Sequence, residues 1–450
     1  MNIKRRDYTQ GSIIKNMWIL AIPMMATNAL QTLYNVVDMI FVGRLGAAPV
    51  AAVSIIGNII MILFALIMGL SIAAGAMVSR SFGAKDYDNV NHVALQTILY
   101  GAVLGFILML LGLLLAPQVV RLFGVEPDVH RMATGYMRII FVGAVPITLM
   151  FLIASILQAV GDAQTAMWIM VGAVLMNVVL DPLLIFGIGP FPRLEVAGAA
   201  WATTLARAIG MGIGVVVMFV KKTHLHLKVE RFKIDTDLLR RMIKIGAPGS
   251  LQMGLRSASG VIMMAIVAGY GTYALAAYGI GIRIDMLVMM PGFGLGAATA
   301  TLVGQNLGAQ KPWRAVQSTW TAMFSFVSIM VLAGTIFYLF TVPIFSLFTH
   351  NPQVIHGGIN YIHTMVWSYP FIAMAVIFNR GLTGAGETLW PMLITAFSLY
   401  IVAVPLSLII PRVWNVGVSG VWFAIVISNF INSVIIMMLF LSGKWKHKKI

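Results

Sequence analysis

IPMMATNALQTLYNVVDMIFVGRLG, residues 22–46, and APGSLQMGLRSASGVIMMAIVAGYG, residues 247–271, are two copies of one pattern. Pro23 falls on Pro248 and Gly46 on Gly271, an offset of 225 positions. The same offset pairs Gly69-Leu70 with Gly294-Leu295, Gly83-Ala84 with Gly308-Ala309, Tyr136 with Tyr361, and Gly161-Asp162 with Gly386-Glu387. Near the end the register slips slightly, so that Gly198 meets Gly420. Matched Gly, Pro and acidic positions over so long a stretch mark an internal repeat, not chance agreement between two apolar sequences. Each copy is also apolar for about 20 residues, the length that crosses a hydrocarbon core as a helix.

Working outward, such runs recur about twelve times: 16–42, 50–79, 91–116, 135–158, 164–188, 196–220, 242–268, 274–304, 315–343, 357–381, 389–411 and 417–441. Sixty per cent of the residues are hydrophobic and ten per cent charged, and the mean hydropathy is +0.93. A soluble chain of this length carries far more charge. The short alternating segments of a membrane barrel are missing. The expected fold is an all-α integral membrane protein of about twelve transmembrane helices in two six-helix repeats. An even number of spans per repeat makes the repeats parallel, related by an axis along the membrane normal. The predicted division is an N-lobe at 1–220, a charged linker at 221–240 and a C-lobe at 241–450.

The net charge of +16 reads as topology and not as nucleic-acid binding. With the amino terminus inside, the inner side receives Lys4, Arg5, Arg6, Lys15, Arg80, Lys85, Lys311, Arg314, Arg380, the tail lysines from Lys444 onward and a cluster of eight from Lys221 to Lys244. The outer side receives Arg44, Arg121, Arg131, Arg138, Arg193 and Arg412. The positive-inside rule then places both termini and the linker in the cytoplasm of an inner or plasma membrane, with the basic residues facing anionic membrane lipid. No cysteine is present, which excludes disulfides and thiolate metal sites. No metal or other cofactor is called for.

Symmetric positions explain a scaffold; asymmetric ones point to chemistry. Asp38 stands in an apolar stretch, where a charge costs roughly 2.5–3.5 kcal/mol on insertion scales, so it is expected to face the protein interior. Asn28, Gln31, Asn35 and Asp38 are spaced to share a helix face, with Tyr34 one turn from Asp38. Asn177 and Asp181 stack four apart on another span. Pro182 frees the carbonyl of Val178 there, and Thr203 and Thr204 come from the next span. By the helix rise, Asp38 lies about 9 Å inside the outer boundary, and the other groups reach a similar level. In the second repeat the counterparts of Asn28, Asn35, Asp38, Asn177 and Asp181 are Met253, Gly260, Met263, Val402 and Leu406. The acid site belongs to one repeat alone. Arg256, the counterpart of Gln31, lines a cavity from the other repeat, with Met39, Met286 and Met289 as adaptable apolar wall. Asp285 either joins that cavity or neutralises an arginine, and Arg207 has no assigned role.

Pro23, the polar stripe ending in Asp38, the Gly43-to-Gly46 turn, Asn177 and Asp181 before Pro182, and VAGAAWAT at 196–203 together resemble the multidrug and toxic compound extrusion (MATE) family of the MOP superfamily. The acidic pair resembles its DinF-type branch. The resemblance implies a secondary active exporter of small organic, often cationic aromatic, substrates, driven by a proton or sodium gradient, of which the proton is the first expectation. It implies that Asp38 is the coupling carboxylate, with Tyr34, Asn177, Asp181 and Thr203 around it, and that the first helix bends at Pro23. A monomer is expected. The alternative within the superfamily is a lipid-linked oligosaccharide flippase, which would want a cationic cavity. HExxH, GxSxG and GxxxxGK[ST] are absent, so metalloprotease, serine hydrolase and nucleotide-driven pump readings lack support.

Overall fold

The computed structural model describes residues 7–219, 233–448 and 450. Residues 1–6 and 221–232, which carry much of the charge assigned to the amino terminus and the linker, lie outside the described residues. Among those described the chain is helical, with eleven helical runs long and apolar enough to cross a membrane. A twelfth span is a bent pair. This is a multi-pass membrane protein.

The first repeat forms α1 (Ile13–Gly43), α2 (Ala47–Gly83), α3 (Tyr87–Arg121), α4 (Pro127–Val142), α5 (Ala144–Ala159), α6 (Ala163–Phe186) and α7 (Val196–Phe219). The bent pair is α4 and α5, turned by 48° at Gly143, where a Cβ would strike Thr204 Oγ1 at 2.7 Å. Asp86 and Asp162 cap α3 and α6, each accepting an amide hydrogen three residues on. Inward-facing Val42, Ile56, Tyr136, Ile140 and Ile185 make the core. Large apolar side chains such as Leu114 and Trp168 are exposed on the outside, as a lipid-facing surface requires.

The second repeat forms α8 (Thr236–Ala268), α9 (Thr272–Gly308), α10 (Pro312–Leu339), α11 (Thr341–Ser346), α12 (Pro352–Met365), α13 (Tyr369–Gly384), α14 (Leu389–Ala396), α15 (Val404–Val413) and α16 (Ser419–Leu441). The counterpart of α6 is interrupted by a π-helical stretch, Phe397–Ala403. Repeat symmetry survives at the tightest backbone contacts. A Cβ on Gly198 would lie 2.4 Å from the Leu184 carbonyl oxygen, and one on Gly420 2.7 Å from the Pro411 nitrogen.

The helices sort into two compact units, one built on Ile22–Ala247 and the other on Tyr8–Ala21 with Pro248–Ile450. The divisions fall inside α1 and α8, beside the repeat-related Pro23 and Pro248. In the first unit, the segment leading into α8 is strapped to the start of α3. His92 Nε2 lies 3.0 Å from Asp235 Oδ2, Gln96 donates to the Lys233 carbonyl and Tyr100 to that of Asp235. In the second unit, the segment leading into α1 is strapped to the start of α10. Lys311 Nζ donates to the Thr9 carbonyl at 3.1 Å and Arg314 Nη2 to that of Gly11 at 3.0 Å. Each repeat thus lends about the opening third of its first helix to the other.

Candidate functional site

Three helices of the first unit bring polar side chains to one place. From α1 come Tyr34 and Asp38, one turn apart and both buried. From α6 come Asn177 and Asp181, fully buried, with Asn177 Nδ2 donating to Asp181 Oδ1 at 3.2 Å. From α7 come Thr203 and Arg207, four apart on one face. The Tyr34 hydroxyl donates to the Thr203 carbonyl at 3.2 Å and so ties α1 to α7. Arg207 lies over the ring of Tyr34 at 5.1 Å and that of Phe64 at 5.8 Å, a position that desolvated cation–π attraction holds. Asp38 and Asp181 lie within each other's field, and Arg207 acts on Asp38. Four buried oxygens here have no hydrogen-bond partner among the described residues: Asp38 Oδ1, Asn177 Oδ1, Asp181 Oδ2 and Thr203 Oγ1. Unsatisfied buried acceptors are costly, so their concentration at one place marks a receptor for something that donates or carries positive charge.

Not every residue of the stripe joins this cluster. Asn35 and Met39 are exposed and Gln31 is half-buried. Asn28 turns back on its own helix, donating to the Met24 carbonyl at 3.0 Å. Thr204 faces α4, donating to the Ile139 carbonyl at 3.3 Å. α1 runs unbroken through Pro23, whose carbonyl accepts from Thr27 Oγ1 at 2.9 Å.

The matching place in the second unit is filled with other chemistry. Met263 is buried, and Ser407 Oγ donates to its sulfur at 3.7 Å. Among the described residues Asp285 pairs with no arginine. Its two oxygens accept the hydroxyls of Tyr361 at 2.6 Å and Tyr369 at 2.7 Å, beside a Tyr278–Trp422 stack. The two phenols satisfy it. Arg256, Arg283 and Met286 are exposed and Met289 half-buried. Arg380, sorted by sequence with the inner loops, stands within α13, four residues before its end, with its side chain over Gly296 of α9. Sequence reading also missed Tyr136, which lies in the field of Asp38, Asp181 and Arg207. Its repeat partner is Tyr361, so the offset itself held that signal.

A family model described as MatE matches residues 23–183 and 248–409, one segment in each repeat. The chain belongs to the MatE family. Over 98% of its length it is 28% identical to the Probable multidrug resistance protein YoeA of Bacillus subtilis, covering 96% of that protein. It is 28% identical to the Probable multidrug resistance protein NorM of Thermotoga maritima, covering 97% of this chain and 94% of the relative. A crystal structure of MATE in the bent conformation superposes with a TM-score of 0.92 at 26% identity, covering 98% of each chain.

Proposed function

We propose that this MatE protein is a secondary active multidrug exporter of the DinF-type branch, a cation-coupled antiporter that expels organic, often cationic aromatic, compounds by alternating access. It is a transporter and not an enzyme. The observation that carries the reading is the group of four unpartnered oxygens around Asp38 and Asp181. A buried carboxylate pair is a group whose energy changes when a cation arrives, and a coupling ion must favour one state over another to drive transport. Two interacting carboxylates titrate as a unit. Tyr34, Asn177 and Thr203 hold the pair, and Pro23 is the point at which α1 bends. The repeats at 1–220 and 241–450 act as lobes joined by the linker at 221–240, with both termini cytoplasmic in a cell membrane. The flippase reading is weaker, because a pyrophosphate-linked cargo has no use for an acid pair.

The test is dye efflux from vesicles holding the purified protein. An imposed proton gradient should drive ethidium out and a sodium gradient at constant pH should not. Efflux that ignores both gradients would end the antiport reading; efflux driven by sodium would replace the ion.

A further inference from the structure

One span of the second unit carries a break that a single carboxylate holds from both sides. α12 and α13 meet at a 3-10 turn, Val366–Ser368. Pro370 has no amide hydrogen to offer the Val366 carbonyl, which accepts the Tyr369 amide in a tighter turn instead. Such a joint is where a helix bends. Tyr361 stands before it and Tyr369 behind it, eight residues apart, which is about 12 Å along an unbroken helix. Both hydroxyls nevertheless converge on Asp285 of α9, one on each carboxylate oxygen, at 2.6 and 2.7 Å. Each ring has a prepared seat. A Cβ on Gly281, one turn before Asp285, would overlap the Tyr361 ring, and one on Gly334 of α10 would lie 3.1 Å from Tyr369 Cδ2. Trp422 of α16 stands edge-on to Tyr361, with ring centroids 5.0 Å apart. Both tyrosines are buried, while Asp285 keeps partial exposure.

The first unit has the same joint without the fastening. Gly143 is the counterpart of Ser368, and Tyr136 that of Tyr361. The counterparts of Asp285, Tyr369, Gly281 and Gly334 are Ile60, Ala144, Ile56 and Met109, so the carboxylate, the second phenol and both seats are missing. There α4 and α5 turn by 48°, whereas α12 and α13 run on as one span, Pro352–Gly384. The straighter span is the one with the carboxylate across its joint.

That fastening depends on charge. An ionised carboxyl accepts at both oxygens, but a protonated one carries a hydrogen on one of them. One phenol must then turn or let go, and the other loses the charge assistance that makes such a bond roughly twice as strong. Among the described residues, the ionisable groups that meet Asp285 are phenols: Tyr361, Tyr369 and, two turns back on α9, Tyr278, edge-on to Tyr361 at 5.8 Å. Other ionisable side chains of these helices are engaged elsewhere. His363 of α12 stacks on Tyr338 of α10 at 4.0 Å. Arg380 of α13 lies over Gly296, about 16 Å further along α9 by the helix rise. Arg283 is exposed, and Arg314 of α10 is held by the Gly11 carbonyl.

We propose that Asp285 is a proton-binding site that works a hinge in the second unit. Charged, it fastens α12 and α13 into one span; on taking up a proton it releases the joint at Val366–Ser368 to bend. The site is additional to the acid pair of the first unit. Its place in a transport cycle rests on the transport reading above; the hinge itself does not.

Hydrogen–deuterium exchange of the purified protein in phosphatidylcholine nanodiscs, read by mass spectrometry without gradient or cargo, reports on the joint directly. Rates are corrected for the intrinsic pH dependence of exchange. Wild-type peptides across 362–372 should then exchange about fivefold faster at pH 5 than at pH 7.5, because a loosened turn opens more often. Asp285→Asn should exchange fast at both values, and Tyr369→Phe, which leaves one phenol, should fall between. His363→Gln should keep the wild-type response. The matching stretch of the first unit, 137–147, is the internal standard and should not respond to Asp285→Asn. Wild-type exchange at the joint that ignores pH would overturn the hinge. So would a response that survives in Asp285→Asn, is lost in His363→Gln, or is unchanged in Tyr369→Phe. If Asp285→Asn does not fold, the wild-type series with the other two variants decides. None of these results touches the gradient experiment, which reads the acid pair.

Discussion

Asp38 and Met263 occupy the same place in two copies of one design, and their surroundings have gone opposite ways. Around Asp38 stand a second carboxylate, an amide, a tyrosine and an arginine stacked on that tyrosine. Around Met263 stands a serine hydroxyl directed at sulfur, in a helix loosened by a π stretch. Yet the scaffolds agree down to single glycines, Gly198 with Gly420. A duplicated fold can keep its packing and still divide its chemistry, because backbone contacts fix the helices while cavity-facing side chains remain free to change. In this protein the first unit keeps a buried acid pair where the second keeps a methionine.

The largest effect should come from breaking that asymmetry. Asp38→Asn or Asp181→Asn should reduce gradient-driven dye efflux to that of empty vesicles, with the variants still folded by circular dichroism. Met263→Ala should leave most of the efflux. Equal losses at Asp38 and Met263 would dissolve the division of labour.

The scaffold should respond the opposite way, alike in both units. Leucine at position 198 or 420 must displace backbone, not a flexible side-chain tip. Gly198→Leu and Gly420→Leu should each cost about 1–3 kcal/mol or more, read as a lowered thermal midpoint. Tolerance at one position and collapse at the other would show that the packing has diverged too.

The smallest effect separates the straps. The Leu238 amide and His92 together hold the Asp235 carboxyl below the usual carboxylate range. Its contribution is therefore complete above that range and disappears as pH falls through the lowered value. Asp235→Asn should lower the thermal midpoint at neutral pH by about 2 °C, and the difference should vanish in strong acid. In the strap of the second unit an ammonium and a guanidinium donate to backbone carbonyls, and acid leaves both of those donors charged. A difference that persisted in acid would mean that Asp235 acts only through its shape.

The helices and the repeat were legible because an apolar run and a fixed offset are properties of the chain itself. The acid pair was legible for a related reason: a charge in an apolar stretch stands out, and its missing counterpart in the other copy doubles the signal. Arg380 was not, because it sits close enough to the end of its run to pass for a loop residue. The partners of Asp285 were hidden as well. Tyr361 and Tyr369 lie 76 and 84 residues away, and no periodicity links positions on separate helices. Arg207 shared a helix face with Thr203, but only the packing of α1 against α7 put the ring of Tyr34 beneath it.

The straps also set a schedule for the making of this protein. The segment that holds Asp235 in place, on α3, has been synthesised 143 residues before Asp235 itself, so the second repeat begins by entering a seat already built. The first repeat has no such advantage. Thr9 and Gly11 wait for Lys311 and Arg314, 302 and 303 residues downstream. At 5–20 residues per second that delay is about 15–60 s. Throughout it, the leading end of the first membrane helix lacks the partner it finally keeps. A nascent chain stalled before residue 311 would expose that end to whatever guards the membrane against unfinished helices, and a quality-control protease would find its mark there first.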